Sequence, residues 1–333
     1  MALAAVHENS LTAFENLSSL VADSMRLVDG LIDDHLKTDI PLIEQIAKHI
    51  IYSGGKRLRP ALVILASHIH GRVSAATIAL AAAVEFIHTA TLLHDDVIDE
   101  SDLRRGMPSA HTVWGNTAAI LVGDFLFAKA FELMVTTGDL RVLQILSKTS
   151  AIITAGEVRQ LMESHSFDLS IESSLQIMGA KTSELFGAAC QTGALVAGAT
   201  DQDALDFYRY GYNLGLIFQI TDDVLDYQVI NISRGKVPGD DFREGKITLP
   251  VIYTYQTASS QERDFLNRTM VELNQTDEDL NHIRHLIEKH QGFEKSLSLA
   301  TDIMQKTHLI INKQSTFKPL LKGLLVECLS RNK

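Results

Sequence analysis

The sequence predicts an all-α protein. Apolar residues recur along most of the 333-residue chain at the spacing typical of amphipathic helices. No run of alternating apolar and polar residues lies between hairpin turns, as half-buried strands would require. Hydrophobic residues make up 46% of the chain, so its helices can enclose a large core.

Helix signals along the chain predict the order of the elements. Proline stands in the permissive first turn of the second and third predicted helices, and glycine follows each of them. The predicted helices cover residues 10–37, 41–53, 60–70, 74–100, 117–137, 140–165, 172–199 and 201–228. Residues 229–245 contain three Gly and one Pro and therefore predict an ordered or gating loop before the more polar, amphipathic C-terminal part.

A single domain covering residues 1–333 is the favoured organisation. The length alone would also allow two domains. No linker rich in Ser, Pro or Gly separates the helices, however, and most of the helical region lies between the two acidic motifs described below. A site shared by these motifs would require both halves of the chain in one bundle.

Composition limits the compartment and the partners. A net charge of −11 and a pI of about 5.6 argue against a nucleic-acid partner, since no overall positive field attracts a phosphate backbone. Cys190 and Cys328 lie far apart and lack metal-ligand spacing, which fits a reducing compartment. We therefore expect a cytoplasmic protein.

No targeting segment or membrane span is predicted. Residues 1–10 lack both the basic and apolar regions of a secretory signal and the arginines of a transit peptide. Glu85, His88 and Asp95 interrupt the most apolar stretch before it reaches the length of a membrane span. A peripheral contact with a bilayer stays compatible with the sequence.

An acidic pattern occurs twice, as DDVID at residues 95–99 and as DDVLD at residues 222–226. A helix advances about 100° per residue, so the first and last Asp of each pattern share one face. Like charges this close are most readily held together around a hard cation such as Mg²⁺, which prefers oxygen ligands and often binds substrate phosphates. One copy alone could equally be an exposed acidic helix end; the pair predicts two metal-bearing walls facing one diphosphate.

Basic residues accompany the acidic patterns in two places. Arg104 and Arg105 follow the first pattern closely and suit a metal-bridged phosphate clamp. Upstream, the segment GGKRLRP at residues 54–60 puts three cations in a glycine-led turn at a helix start, where backbone N–H groups also attract anions. A solvated helix start is the alternative interpretation, and the acidic patterns favour a second phosphate site.

From about residue 52 to residue 250, the chain resembles the trans-polyprenyl diphosphate synthases. The family's motifs occur in its order, as GGKRLRP, HTATLLHDDVIDESDLRRG, GDFLFAKAF, GEVRQ, KTSELFGAA, GLIFQITDDVLDY and GDDFREGKITLP. The resemblance implies one large bundle of the isoprenoid synthase type with a central substrate cavity, completed by C-terminal helices in residues 251–333. It also implies a homodimer.

The resemblance implies a reaction between isopentenyl diphosphate and an allylic diphosphate. The allylic substrate ionises, the isopentenyl double bond adds to the cation, and a proton leaves. Three Mg²⁺ ions would stabilise the departing diphosphate. The implied metal-binding residues are Asp95, Asp99, Asp222 and Asp226.

Further roles follow from the same resemblance. The residues implied to bind the allylic diphosphate are Arg104, Lys181, Thr182, Gln219, Lys236 and Lys246. Of these, the residues implied to lie beside the reacting carbons and act catalytically are Lys181, Thr182 and Gln219. The residues implied to hold isopentenyl diphosphate without metal are Lys56, Arg59, His88 and Arg105. For His88, a hydrogen-bonded core histidine is the alternative.

The helix before Asp95 predicts a long product. Short-product members of the family carry bulky aromatic residues at the positions of Ala90 and Thr91, so the wall along which the product tail descends is unblocked there. Ile87 lies deeper on the same wall. We expect an octaprenyl product for a respiratory quinone, with solanesyl, decaprenyl and geranylgeranyl products as alternatives.

Two other functions share some of these features. A class I terpene cyclase also ionises an allylic diphosphate, but the second motif there mixes Asn, Ser or Thr with acid, and a second diphosphate site would be idle. An inactive regulatory subunit of a heteromeric synthase would be expected to lose site residues that this chain keeps. Activity of the isolated chain separates these hypotheses.

Overall fold

The computed structural model describes residues 11–228, 239–311 and 316–331. Its first elements are α1 (Ala13–Leu36), α2 (Pro41–Ile51), α3 (Leu58–His70), α4 (Ala75–Ile98), β1 (Leu103–Arg104), β2 (Met107–Pro108), α5 (Ala110–Trp114), α6 (Asn116–Thr136) and α7 (Leu140–Glu163). There follow α8 (Ile171–Met178), a π-helical segment (Gly179–Ser183), α9 (Glu184–Val196), α10 (Asp201–Tyr227), α11 (Asp240–Arg243) and α12 (Leu249–Thr257). The last are α13 (Ser260–Leu266), a second π-helical segment (Asn267–Val271), α14 (Asp277–Lys289), α15 (Gly292–Ile310) and α16 (Lys318–Leu329).

The prediction of an all-α fold is confirmed. Within the described ranges, strands are limited to the two-residue hairpin β1–β2 in the loop after α4. The predicted helix over residues 172–199 is wrong in one respect, because the π-helical segment Gly179–Ser183 interrupts it. The predicted loop over residues 229–245 ends in the short helix α11, and its residues 229–238 lie outside the described part of the chain.

The core is built around α4 and α10, which carry the two acidic patterns at their C-terminal ends. Helix α4 packs on α1, α3, α6 and α9, and α10 packs on α9, α15 and α16. One hydrophobic cluster joins residues from α1 through to α16. A second, smaller cluster packs α11 to α15 against the end of α10, next to its acidic pattern.

Helix α4 is long and apolar enough to cross a membrane, with a mean hydropathy of 1.6 over its most apolar window. The sequence analysis did not expect any stretch to reach this level. In the structure, 78% of that window is buried inside the protein. Its hydropathy is thereby accounted for by packing against the neighbouring helices.

Candidate active site

Helix α11 and the following residue Lys246 contact both acidic patterns. The Lys246 ammonium lies 3.0 Å from an Asp99 carboxylate oxygen at the end of α4. In α11, the backbone N–H of Asp241 donates to the Asp226 carboxylate at 2.9 Å. The short segment after α10 therefore contacts both walls.

In the first pattern, the middle acid is the most deeply buried. Asp96 is 1% exposed and accepts hydrogen bonds from Arg104 Nε at 2.7 and 2.9 Å, with Arg104 Nη2 at 2.5 Å. The Nε and Nη2 side of the Arg104 guanidinium is therefore paired with Asp96. Burial, followed by the nearby Glu157 and Asp99 carboxylates, raises the pKa of Asp95 to about 6.

In the second pattern, the middle acid is held by an amide instead of a cation. The side-chain amide of Gln219 donates to Asp223 at 2.8 Å, and the Thr182 hydroxyl donates to the Gln219 carbonyl oxygen at 2.8 Å. Burial raises the pKa of Asp223 to about 7, reinforced by the charges of Asp222 and Asp226. Three predicted residues, Thr182, Gln219 and Asp226, thus lie around this buried acid.

Arg331, near the end of the chain, also reaches the second pattern. Its guanidinium stacks on the Phe218 ring at 3.8 Å, donates to the Phe218 carbonyl at 3.2 Å and lies 3.3 Å from the Asp222 carboxylate. No chemistry was predicted from sequence for this part of the chain. A single arginine after a helix carries no local signal, and only its packing against α10 identifies it.

The glycine-led turn before α3 brings basic residues together. Gly54 and Gly55 have positive φ angles, and a Cβ atom at Gly55 would lie 2.6 Å from Arg105 Nη1. Glycine is therefore favoured by the backbone conformation, and the Arg105 guanidinium packs against the space that a Gly55 side chain would fill. Lys56, in the same turn, lies 4.2 Å from the Phe14 ring.

Arg59 and His88 complete this basic cluster. An Arg59 Nη1 nitrogen lies 3.1 Å from His88 Nε2, and the guanidinium stacks on Phe186 at 4.5 Å. Burial lowers the pKa of Arg59 to about 10. Burial and then the charges of Arg59 and Arg105 hold the pKa of His88 well below its ordinary value, so the imidazole is neutral. Arg59, His88 and Arg105 are thus neighbours, as predicted.

Arg57 and Glu85 form an anchor that the sequence analysis did not identify. Arg57 adopts a left-handed conformation, pairs with Asp29 and approaches Glu85 at 3.5 Å. Glu85 is buried, and burial raises its pKa against the effect of the nearby arginines. The anchor fixes the basic turn to α1 and α4.

Lys181 and Thr182 lie in the π-helical segment, beside α7. The Lys181 ammonium pairs with Glu157 at 2.9 Å, a residue within the GEVRQ motif to which the sequence analysis gave no role. A cavity of about 170 Å³ opens next to Thr182. Its lining includes Gln160, Thr182, Gln219, Asp223, Asp241 and Lys246.

The residues expected to form the product wall lie on α4, toward the protein interior. Ile87 and Ala90 are fully buried, and Thr91 is partly buried with its hydroxyl donating to the His88 carbonyl at 2.8 Å. Lys236, expected to bind the allylic diphosphate, lies outside the described residues.

The acidic residues fit a hard divalent cation by their chemistry. Their donors are carboxylate oxygens, and burial, followed by the neighbouring Glu157 and Asp99 carboxylates, raises the pKa of Asp95, a cost that a bound cation would relieve. Across the described ranges, no three acidic, His or Cys side chains converge as a ready-made metal site. An ion held here would therefore need further oxygen ligands, as Mg²⁺ obtains from substrate phosphates and water.

Comparisons with known proteins identify the family of the chain. Residues 40–288 match the polyprenyl synthetase family. The chain is 41% identical over 258 residues to octaprenyl diphosphate synthase of Escherichia coli K12, covering 78% of this chain and 80% of that protein. It is 39% identical over 257 residues to the all-trans-nonaprenyl-diphosphate synthase (geranyl-diphosphate specific) of Rhodobacter capsulatus, covering 77% of this chain and 79% of that protein.

A solved structure matches almost the whole fold. A polyprenyl synthase from Caulobacter crescentus CB15, complexed with calcium and isoprenyl diphosphate, superposes with a TM-score of 0.93 at 42% identity. The match covers 98% of this chain and 100% of that chain. The predicted resemblance and fold type are thereby confirmed. The chain belongs to the polyprenyl synthetase family of prenyltransferases.

Proposed function

We propose that the chain is a Mg²⁺-dependent, chain-elongating trans-prenyltransferase. It condenses isopentenyl diphosphate with farnesyl diphosphate or a longer allylic diphosphate into a long-chain all-trans polyprenyl diphosphate. The product is octaprenyl diphosphate, destined for a quinone side chain. Relatives named as octaprenyl and all-trans-nonaprenyl diphosphate synthases support a long product. The observation that carries the proposal is a basic cluster of Arg59 and His88 that lies near the acidic patterns, close enough for Asp222 to affect the pKa of Arg59.

The acidic side of the pocket takes the allylic diphosphate. Asp95, Asp99, Asp222 and Asp226 would hold Mg²⁺, three ions in all, and bound Mg²⁺ supplies Lewis-acid stabilisation of the departing diphosphate. Arg104, Lys181, Lys246 and Lys236 add positive charge around this substrate. Lys246 already bridges toward Asp99, and carboxylate neighbours keep its pKa above the usual value despite burial.

The basic cluster takes isopentenyl diphosphate. Arg59 and Arg105 supply guanidinium N–H donors, Lys56 supplies a mobile ammonium, and neutral His88 supplies one further ring nitrogen. Glu85, the acid beside this cluster, approaches Arg57. In this proposal the substrate is bound without a metal ion, and its C–O bond is not activated for cleavage.

Bond making follows ionisation of the allylic substrate. The C–O electron pair leaves with the diphosphate, the isopentenyl double bond supplies the pair for the new C–C bond, and the adjacent carbon passes a proton to an oxygen of the departed diphosphate. The Thr182 hydroxyl donates a hydrogen bond to the Gln219 side-chain oxygen, so the lone pairs of the hydroxyl oxygen are available to stabilise positive charge. Lys181 lies one residue away, in the same π-helical segment.

Product size tests the proposal. Purified protein incubated with farnesyl diphosphate, isopentenyl diphosphate and Mg²⁺ is expected to accumulate a product of about eight isoprene units. Accumulation of geranylgeranyl diphosphate would contradict the long-chain assignment, and a cyclised hydrocarbon would favour a terpene cyclase. Ala90→Phe and Thr91→Phe are expected to shorten the product, because a ring at either position would occupy space along the wall that the product tail needs.

We also propose that the chain acts as one domain, as a homodimer, in the cytoplasm. Exposed apolar side chains on the neighbouring helices α6 and α7 support a dimer surface. They are Leu121, Phe131, Val135, Val158 and Met162. Sedimentation should give a dimer for the native chain and a shift toward monomer for a Leu121→Glu, Met162→Glu variant. A native monomer at micromolar concentration would refute this part.

A further inference from the structure

Lys181 and Thr182 lie in a helix segment of unusual geometry. The π-helical segment lies between α8 and α9. In it, the backbone N–H of Glu184 donates to the Gly179 carbonyl, five residues earlier in the chain. π-helical turns are rare, and they frequently occur at functional sites. What holds this segment in place therefore bears on where its two polar side chains lie.

Glycines in two other helices contact the segment. A Cβ atom added to Gly156 of α7 would lie 2.6 Å from the Ala180 Cβ atom. A Cβ atom added to Gly215 of α10 would lie 2.8 Å from the Ser183 Cα atom. Helices α7 and α10 can thus approach the segment closely only because these positions lack side chains.

Tyr212 contacts the segment at a third point. Its hydroxyl lies where a Gly179 side chain would be, 2.1 Å from the position of an added Cβ atom. Tyr212, Gly215 and Gln219 share one face of α10 because their spacing of three and then four residues matches the helical repeat. The face that carries Gln219, the hydrogen-bond partner of Thr182, therefore also contacts the segment on either side of Thr182.

We propose that Gly156, Tyr212 and Gly215 are positioning residues for Lys181 and Thr182. Their close fit sets the place of the π-helical segment, and with it the Thr182 to Gln219 and Lys181 to Glu157 contacts. This inference rests on the proposed function insofar as it concerns prenyl transfer. The positions of the two side chains are measurable without any activity.

A methyl group at position 156 is the sharpest probe. Gly156→Ala would push Ala180 and move the segment away from α7, because the two Cβ atoms cannot approach to 2.6 Å. A displacement of about 1 Å at reacting groups can cost about 100-fold in rate. We expect kcat to fall about 10- to 100-fold, while the KM for isopentenyl diphosphate, bound at the basic cluster, stays unchanged.

The swapped variant Gly156→Ala, Ala180→Gly is the matched test. It keeps one methyl group between α7 and the π-helical segment. The Ala180 carbonyl carbon and the Lys181 nitrogen would lie 3.5 Å from the new Cβ atom at position 156, which is ordinary van der Waals contact. We expect it to recover most of the lost kcat. The control is Gly30→Ala on α1, where an added Cβ atom meets nothing within 4 Å, and this variant should keep native kinetics.

Crystal structures of the variants give the second readout. The native distance from the Thr182 hydroxyl to the Gln219 oxygen is 2.8 Å, and it should lengthen in Gly156→Ala and return in the swapped variant. A shift in this distance upholds the positioning role even if the native protein transfers no prenyl group, an outcome that would refute only the proposed function.

Other outcomes would overturn the inference. An unchanged Thr182 to Gln219 distance in folded Gly156→Ala would do so, as would a native kcat or a swapped variant that recovers nothing. If Gly156→Ala does not fold, Tyr212→Ala replaces it, since this change opens space instead of closing it. A Tyr212→Ala variant with native kcat and an unmoved segment would then refute the role.

Discussion

The two acidic patterns are nearly identical in sequence but differ in what surrounds them. In the first, cations approach the acids: Arg104 grips buried Asp96 and Lys246 reaches Asp99. In the second, neutral donors bind two of the acids: the Gln219 amide binds Asp223 and a backbone N–H binds Asp226. A repeated motif therefore does not imply two equal sites. Its chemistry depends on partners that come from elsewhere in the chain.

The largest expected effect comes from Asp95→Asn in the first pattern. Loss of a carboxylate that would hold Mg²⁺ should lower kcat about 1000-fold, since metal stabilisation of a leaving group is worth several kcal/mol. The Mg²⁺-free protein should become more stable at pH 7, by up to about 3 kcal/mol, because burial raises the pKa of Asp95 from 3.8 to about 6. Steady-state kinetics and urea unfolding measure the two effects.

The pH dependence gives the control for this variant. Because the folded-state pKa of Asp95 is the higher one, the folded protein takes up the proton first as the pH falls. The stability of the Mg²⁺-free native protein should therefore increase between pH 7 and pH 4, and the increase should be smaller in Asp95→Asn. Equal increases in both proteins would show that Asp95 carries no unfavourable charge.

The second expected effect compares the two middle acids directly. Asp96→Asn breaks a buried ion pair and leaves Arg104 without its partner, so unfolding free energy should fall by about 3 kcal/mol. Asp223→Asn should instead raise it at pH 7, because the change removes a buried carboxyl whose pKa is raised to about 7, while an Asn oxygen can still accept from Gln219. Urea unfolding of both variants at pH 7 without Mg²⁺ measures the difference. Similar losses for both would mean that the two patterns are electrostatically equivalent after all.

Local sequence patterns predicted most of the helices, the acidic ends of α4 and α10, and the turn before α3. Apolar periodicity predicted α4 and α10. The acidic ends of these helices indicated the candidate site, because charged residues interrupt an otherwise apolar helix there. The glycine pair before α3 predicted a turn, and Gly54 and Gly55 indeed have positive φ angles. These features depend on neighbours in sequence, which is why sequence alone revealed them.

The remaining features depend on contacts between distant residues. Glu157 was overlooked because its partner Lys181 lies on another helix. The π-helical segment was predicted as ordinary α-helix, since its amino-acid composition does not distinguish it from one. The pairing of Arg104 with Asp96 was missed because Arg104 was expected to face the ligand and Asp96 was given no role. No period or motif encodes such pairings.

The smallest expected effect concerns Arg331 and would sharpen the contrast between the patterns. In the second pattern, Asp222 pairs with a cation, the Arg331 guanidinium at 3.3 Å. Because the Asp222 side chain is 38% exposed, solvent screens the pair, and a double-mutant cycle of Arg331→Ala with Asp222→Asn should give a coupling of about 0.5 kcal/mol that declines with added salt.

Arg331→Ala alone should cost more than this coupling, about 1 kcal/mol, because it also removes the stacking on Phe218. Arg331→Lys should recover only part of the loss, since an ammonium cannot stack on the ring and contact Asp222 with the same planar group. The exposed pair Arg26–Asp23 is the matched control, where the same cycle should give no measurable coupling. Equal couplings at the two sites would mean that Arg331 stabilises α10 through its contacts with Phe218 and not through Asp222.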